Sequence, residues 1–322
     1  MTTRSEGATL PVTEKGGATG TMDAARDVGR RQVEGWRDAV GLTKPRVAVL
    51  LLLTALVAMV LAAEGAPSIQ RVALTLLGGY LCAGGAGAIN CYLDRDLDAQ
   101  MARTRDRAIP SGRVEPGHAL ALGILLSVLS GPILWFGAHP LAAVVALLAL
   151  AHYVLVYTVW LKRRSSWNVV VGGLAGAAPP LVGWAAVTGT VSTTAVLLAA
   201  IVFCWTPAHF WALALLRREE YARAGVPMLP VVRGEGATRR QILAYATLTV
   251  VLSALPVVTG VLGVLYAAAA AVLGGVFLAL ALGMVRGGEA PAIRRFYFFS
   301  LFYLATLHLA IVVDYGLLQQ SV

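Results

Sequence analysis

Six stretches of this chain, 47–63, 72–93, 116–161, 165–216, 241–285 and 296–313, contain no Asp, Glu, Lys or Arg. A helix rises about 1.5 Å per residue, so roughly 20 apolar residues cross a hydrocarbon layer about 30 Å thick. Three of the stretches suit one crossing each. The other three are roughly twice that length, and each has a turn signal near its middle: Gly137-Ala138-His139-Pro140, Thr188-Gly189-Thr190 and Thr259-Gly260. These three read as helical hairpins, which makes nine crossings. Of the 322 residues 58% are hydrophobic and 13% charged, against about 25% charged in soluble domains. The expected fold class is therefore all-α, a polytopic membrane protein. A soluble, fibrous or disulfide-stapled chain is excluded.

The positions of the charges set the orientation. An odd number of crossings puts the termini on opposite sides. All but one of the 26 Lys and Arg fall in 1–46, 94–115, 162–164, 217–240 and 286–295, the exception being Arg71. Basic loops face the cytoplasm, so the N-terminus and these loops are expected there. The net charge of +9 is then mostly topology, and no nucleic-acid partner is needed to explain it. Residues 1–43, rich in Gly, Thr, Arg and Glu, read as a disordered cytoplasmic tail without the apolar core of a signal peptide, and 44–322 as the nine-helix domain. Cys82, Cys91 and Cys204, odd in number and without metal-type spacing, read as small packing residues.

Two segments on the basic side are unlike ordinary loops. The first begins Asn90-Cys91-Tyr92-Leu93-Asp94-Arg95-Asp96-Leu97-Asp98 and continues to Arg103, Arg105, Arg107 and Arg113. At about 100° per residue, Asn90, Asp94 and Asp98 stay on one face of a helix continuing out of the membrane, and Asp96 falls opposite, in place for a salt bridge. Oxygen ligands suit Mg²⁺, which is usually held by one or two carboxylates together with substrate phosphates. The C-terminal end of a helix dipole also favours a cation, and guanidinium groups match phosphate oxygens. Such a loop can equally be a solvated, self-paired face; what raises it above that is the register at the membrane boundary.

The second segment runs from Arg217-Arg218-Glu219-Glu220-Tyr221 through Gly225-Val226-Pro227-Met228-Leu229-Pro230 to Arg239-Arg240. Its glutamates fit either a further metal contact or a surface helix with local ion pairs. Between the fourth and fifth spans, Lys162-Arg163-Arg164 reads first as a positive-inside anchor and second as a group that neutralises a departing anion. Glycines at 78, 79, 84, 85, 87, 172, 173 and 176 allow close helix contact, and Pro179, Pro180 and Pro207 are expected to kink their helices. Of the histidines, His209 stands out. It lies about two turns inside the membrane, in Cys204-Trp205-Thr206-Pro207-Ala208-His209-Phe210-Trp211.

Three stretches, NCYLDRDLDAQMARTRDRAIPSGR from Asn90, YTVWLKRRSSWNVVVGGLAGAAPPLVGW from Tyr157 and FCWTPAHFWALALLRREEYARAGVPMLPVV from Phe203, resemble the protoheme IX farnesyltransferase (heme O synthase) branch of the UbiA superfamily of intramembrane prenyltransferases. Lys44-Pro45-Arg46 before the first span is similar to the family's approach to its first helix. Ala108 and Ala208 stand where the family commonly has proline, without loss of a polar group. The resemblance implies a UbiA-type bundle in the bacterial inner membrane that transfers farnesyl from farnesyl diphosphate to a vinyl group of heme B, with an enzyme converting heme O to heme A downstream. It implies Mg²⁺ at Asn90, Asp94 and Asp98, and diphosphate contacts at Arg95, Arg103, Arg107, Lys162, Arg163, Glu220 and Tyr221. Heme contacts would come from His209 and Trp205. The alternatives are another lipophilic aromatic or glycerol-phosphate acceptor and, in a different class, a transporter. A transporter commonly carries ionisable groups at the membrane midplane, where these spans have no Asp, Glu, Lys or Arg.

Overall fold

The computed structural model describes residues 35–63 and 65–320. Among them nine helices are long and apolar enough to cross a membrane. They are α1 Pro45–Ala62, α2 Ile69–Leu93, α3 Pro116–Gly137, α4 Pro140–Leu161, α5 Asn168–Thr188, α6 Thr193–Leu216, α7 Gly234–Val258, α8 Val264–Val285 and α9 Ala290–Gln320. No strand occurs among the described residues. The chain is a multi-pass membrane protein, and its hairpins turn at the expected places: α3 and α4 part at Ala138 and His139, and Gly189 (φ 70°) and Gly260 (φ 73°) take the left-handed backbone that ends α5 and α7.

Helix is present ahead of the expected boundary at 44. Residues 35–42 are helical rather than disordered, because this turn is anchored at both ends. Asp38 accepts from Arg113 Nε and Nη2 at 3.0 to 3.1 Å, and Leu42 is buried with Ala88, Cys91, Ala108, Ile109 and Ala119. Residues 1–34 of the expected tail lie outside the described residues.

Without a hydrophobic drive between helices in lipid, close van der Waals fit decides who packs on whom, and the glycines mark those contacts. A Cβ at Gly85 would stand 2.8 Å from Gly123 O, so α2 and α3 touch backbone to backbone. One at Gly183 would stand 2.1 Å from Ala55 O, which joins α5 to α1. Gly172 is bare because the Tyr157 ring of α4 fills its place, 2.3 Å from where a Cβ would be. Leu125, Val128, Phe136, Leu148 and Phe298 are left on the outside, where lipid covers them. Helices α5 and α6 run on through Pro179, Pro180 and Pro207, as membrane helices tolerate. Cys82 donates to Ala146 O, Cys91 is buried, Cys204 is half-buried, and all three are free. His152 bonds Val171 O at 2.8 Å, tying α4 to α5. One acid sits within a long helix at the end away from the basic loops: Asp314 of α9 caps the start of α8, accepting from Gly263 N at 2.5 Å and Tyr266 N at 3.0 Å.

Helix α4 changes character halfway. Pro140–Ala151 is an ordinary α-helix, while His152–Leu161 is wound with i→i+5 bonds, the last from Lys162 N to Tyr157 O at 2.8 Å. Such winding is rare and usually confined to a single turn near functional sites. Here it spans ten residues, and Thr158 Oγ1 bonds Tyr153 O at 2.9 Å along the same pattern.

The close approach at Gly183 is testable. Gly183→Ala is expected to cost about 1–3 kcal/mol through overpacking, lowering Tm in detergent. Gly176→Ala on the same helix, where nothing lies within 4 Å, is expected to leave Tm unchanged or slightly raised.

Candidate active site

Asn90 and Asp94 close the last turn of α2, and the helical bonding continues past its end: Asp94 N bonds Asn90 O at 2.9 Å and Asp98 N bonds Asp94 O at 2.8 Å. The short helix Arg95–Gln100 therefore extends the same face. Asn90, Asp94 and Asp98 are all buried, at 3, 1 and 4% exposure. Arg95 and Asp96 are exposed on the other side. Beside the buried face, Ala108 and Ile109 of the loop, together with Leu42, pack onto Ala88 and Cys91 of α2.

A buried carboxylate needs partners in place of water. Asp94 Oδ2 accepts from Asn90 Nδ2 at 2.6 Å and from Lys162 Nζ at 2.5 Å. Asn90 Nδ2 also reaches Thr158 Oγ1 at 3.2 Å, and its Oδ1 accepts from Lys44 Nζ. Asp98 Oδ2 accepts from Arg107 Nη1 at 2.7 Å. The cluster thus draws on α2, its extension, the following loop, the i→i+5 half of α4 and the residue before α1. Burial opposes the charge on Lys162, but Tyr157 and Asp94 outweigh it and hold the ammonium above its ordinary pKa. Burial likewise opposes the Arg107 charge, and Asp98, with a smaller share from Asp94, raises its pKa on balance. Lys44 goes the other way, its pKa lowered chiefly by burial.

One polar atom of the cluster is unmatched. Asp94 Oδ1 is buried and has no hydrogen-bond partner. An open lone pair on a buried carboxylate, beside a second carboxylate and three basic groups, is the donor set a hard divalent cation and its phosphate ligands would use.

The other residues anticipated here separate into those near this cluster and those turned away. Lys162 and Arg107 belong to it. Arg163 instead forms a bidentate pair with Asp96 at 2.6 and 2.7 Å and bonds Leu93 O at 3.1 Å, on the exposed side. The Arg163 hydrogen bonds hold the Asp96 carboxyl below the usual carboxylate range. Arg95 lies over the Tyr92 ring at 4.6 Å and bonds Tyr92 O. The Arg103 side chain is exposed, while its backbone N–H meets Glu220 Oε2 at 3.5 Å. Glu220 is buried and paired with Arg217 at 2.8 Å, so it joins the two basic-side loops. Tyr221 is buried beside it in the main core.

His209 lies apart, on α6. Trp205 and Tyr297 stack on its two faces, with centroids at 4.5 and 4.7 Å, and Nδ1 bonds Ser300 Oγ at 2.7 Å. Trp205 Nε1 donates to Ser300 O at 2.8 Å. Phe210 meets the imidazole edge-on at 5.6 Å, and His209 is 7% exposed. Sequence reasoning missed Lys44, Thr158, Tyr297 and Ser300 as members of these clusters. Lys44 left a trace in its position directly before Pro45; the others join from distant helices and leave none.

A family model described as the UbiA prenyltransferase family matches residues 51–304. A relative from Roseiflexus sp. (strain RS-1), named protoheme IX farnesyltransferase, is 53% identical over 278 residues, covering 86% of this chain and 52% of the relative. The chain spans about half the length of several such curated relatives. One from Symbiobacterium thermophilum with the same name is 50% identical over 281 residues, covering 86% of this chain and 94% of the relative. Among solved structures, a UbiA homolog from Archaeoglobus fulgidus bound to DMAPP and Mg²⁺ superposes with a TM-score of 0.63 at 18% identity, over 86% of this chain and 99% of that one.

Asp96 and Asp98, two positions apart on the motif, separate experimentally. Asp98→Asn is expected to cost about 2 kcal/mol by leaving Arg107 poorly matched in a largely buried setting, read as a lower Tm. Asp96→Asn removes an exposed pair and is expected to cost at most about 1 kcal/mol.

Proposed function

The chain belongs to the UbiA prenyltransferase family, and on that premise we propose that it transfers a farnesyl group from farnesyl diphosphate to a vinyl group of heme B, giving heme O. The observation that carries this is the Asp94 carboxylate, buried at the basic end of an apolar bundle with one oxygen unpartnered and the Lys162 ammonium and Asn90 amide on the other. The acceptor is inferred from the names of the relatives, Roseiflexus and Symbiobacterium among them.

The donor set fits a magnesium ion: Asp94 through Oδ1 and Asp98 would hold it, with Asn90 adjoining. When bound, Mg²⁺ supplies positive charge to the diphosphate as the allylic C–O bond breaks. The protein's own part is to hold the donor and keep water out. Lys162 and Arg107, already held at the cluster by Asp94 and Asp98, would meet the charge that gathers on the leaving oxygens. Arg95, Arg103 and Arg163 form an outer basic rim that attracts the anionic donor. Glu220 acts by pairing with Arg217 and receiving the Arg103 N–H, which keeps the two loops together, with Tyr221 packed behind it. The farnesyl tail and the allylic cation would lie in the apolar interior, where premature capture by water is prevented. Attack by the vinyl group would then form the new C–C bond and leave the positive charge on the carbon next to the ring; water would add there and lose a proton to leave the hydroxyl. His209 would meet the acceptor through Nε2, with Trp205 bracing its ring. On this reading the charged loops face the cytoplasm of a bacterial inner membrane, and both substrates arrive from within the bilayer.

Membranes containing the protein, given heme B, farnesyl diphosphate and Mg²⁺, are expected to yield farnesylated heme by mass spectrometry. Unmodified heme beside a prenylated hydroxybenzoate in a parallel incubation reassigns the acceptor. Asp94→Ala and Asp98→Ala are expected to lower turnover at least about 100-fold at wild-type expression and membrane insertion; normal turnover in both refutes the metal assignment.

A further inference from the structure

Lys44 is the single non-glycine residue with positive φ among the described residues, at φ 53° and ψ 55°. The left-handed region is unfavourable for a side chain of this kind, and the following Pro45 restricts the backbone further. Something must hold it there, and the holding contacts are visible. Gly84, Gly87 and Asn90 are spaced three apart on α2 and share a face. A Cβ at Gly84 would stand 3.0 Å from Thr43 Cβ, and one at Gly87 would stand 3.1 Å from Leu42 O. Thr43 Oγ1 bonds Val40 O and Tyr80 OH, each at 2.8 Å. Residues 42 to 44 are pressed onto two glycines, and the left-handed turn delivers the Lys44 ammonium to the next position on that face, Asn90 Oδ1.

The one side-chain oxygen of Asn90 accepts from Lys44. The two Asn90 amide hydrogens go to Asp94 and Thr158. The second lone pair of that oxygen can meet a cation only beside the Lys44 ammonium, and an ammonium and a divalent ion repel each other at this range.

We propose that Lys44 is an exchangeable place-holder at the donor site: it yields the Asn90 oxygen to a divalent cation when a diphosphate arrives, and its ammonium then binds the diphosphate. The inference rests on the metal–diphosphate reading of Asn90, Asp94 and Asp98. Its consequence is linkage: cation alone is held weakly, and cation and diphosphate strengthen each other. Coupling between linked sites is typically about five- to 150-fold in affinity, and it is reciprocal.

The test is Mn²⁺ binding to the whole detergent-solubilised protein, followed by electron paramagnetic resonance, with and without inorganic pyrophosphate. Wild type is expected to bind Mn²⁺ more tightly with pyrophosphate, within that roughly five- to 150-fold range. Lys44→Met is expected to bind Mn²⁺ alone more tightly than wild type and to lose most of the coupling. Lys44→Gly, which removes the backbone strain as well, is expected to show the same binding with a Tm no lower than wild type, so that misfolding of the methionine variant does not decide the outcome. Wild-type affinity and coupling in both variants overturn the exchange, as does weaker binding of Mn²⁺ alone in both. If wild type binds no Mn²⁺ even with pyrophosphate, the metal–diphosphate reading falls, and the exchange with it.

Discussion

A carboxylate at the edge of a hydrocarbon layer has to be solvated by the protein itself. Asp94 is that group here, and much of the architecture at the basic end answers its requirement. Water is replaced by Asn90 one turn earlier on α2 and by Lys162 from the end of α4. Each partner has conditions of its own. Asn90 is satisfied by Thr158 and Lys44, and Lys162 is brought to the cluster by a helix that abandons ordinary winding over its last ten residues. The wider winding and the Gly172 position that receives the Tyr157 ring belong to one packing arrangement. It places a threonine and a lysine from α4 against α2.

Satisfaction at this site is deliberately uneven in a physical sense: one Asp94 oxygen is crowded and the other is bare. A fully matched buried network would be a structural feature and nothing more. A buried oxygen with no partner is costly in isolation, and such a cost persists where a ligand offsets it. The second loop differs in character. Its buried carboxylate, Glu220, is already matched by Arg217 and by the Arg103 N–H. That commits it to joining the loops and concentrates the available negative charge in the first motif.

Lipid-facing and site-facing demands are met by different residues of the same helices. On α2, Gly78, Gly84, Gly85 and Gly87 are small on several sides, which lets α3 and the 42–44 segment close in. On α9, Phe298 faces outward while Tyr297 and Ser300 reach His209. The bilayer supplies no drive for helices to associate, so steric fit at glycines and hydrogen bonds such as His152 to Val171 O carry that role.

Much of this was legible in the amino-acid order. Nine spans, their turns, the one-sided placement of basic residues and the shared face of Asn90, Asp94 and Asp98 follow from charge-free run length and helical period, which are local properties of the chain. The sequence pattern also put Asp96 on the opposite side, where it meets Arg163. What it left open was which groups meet across helices. That Arg163 turns outward while Lys162 turns inward, that Glu220 joins loops, that residues 35–42 are ordered, and that Lys44 bonds Asn90 were decided by packing. The reason is that each of those pairings depends on how closely two helices approach and at what angle, and no single segment carries that information. The sequence by itself determined which face bears the oxygens; the tertiary structure decided which oxygen remains open.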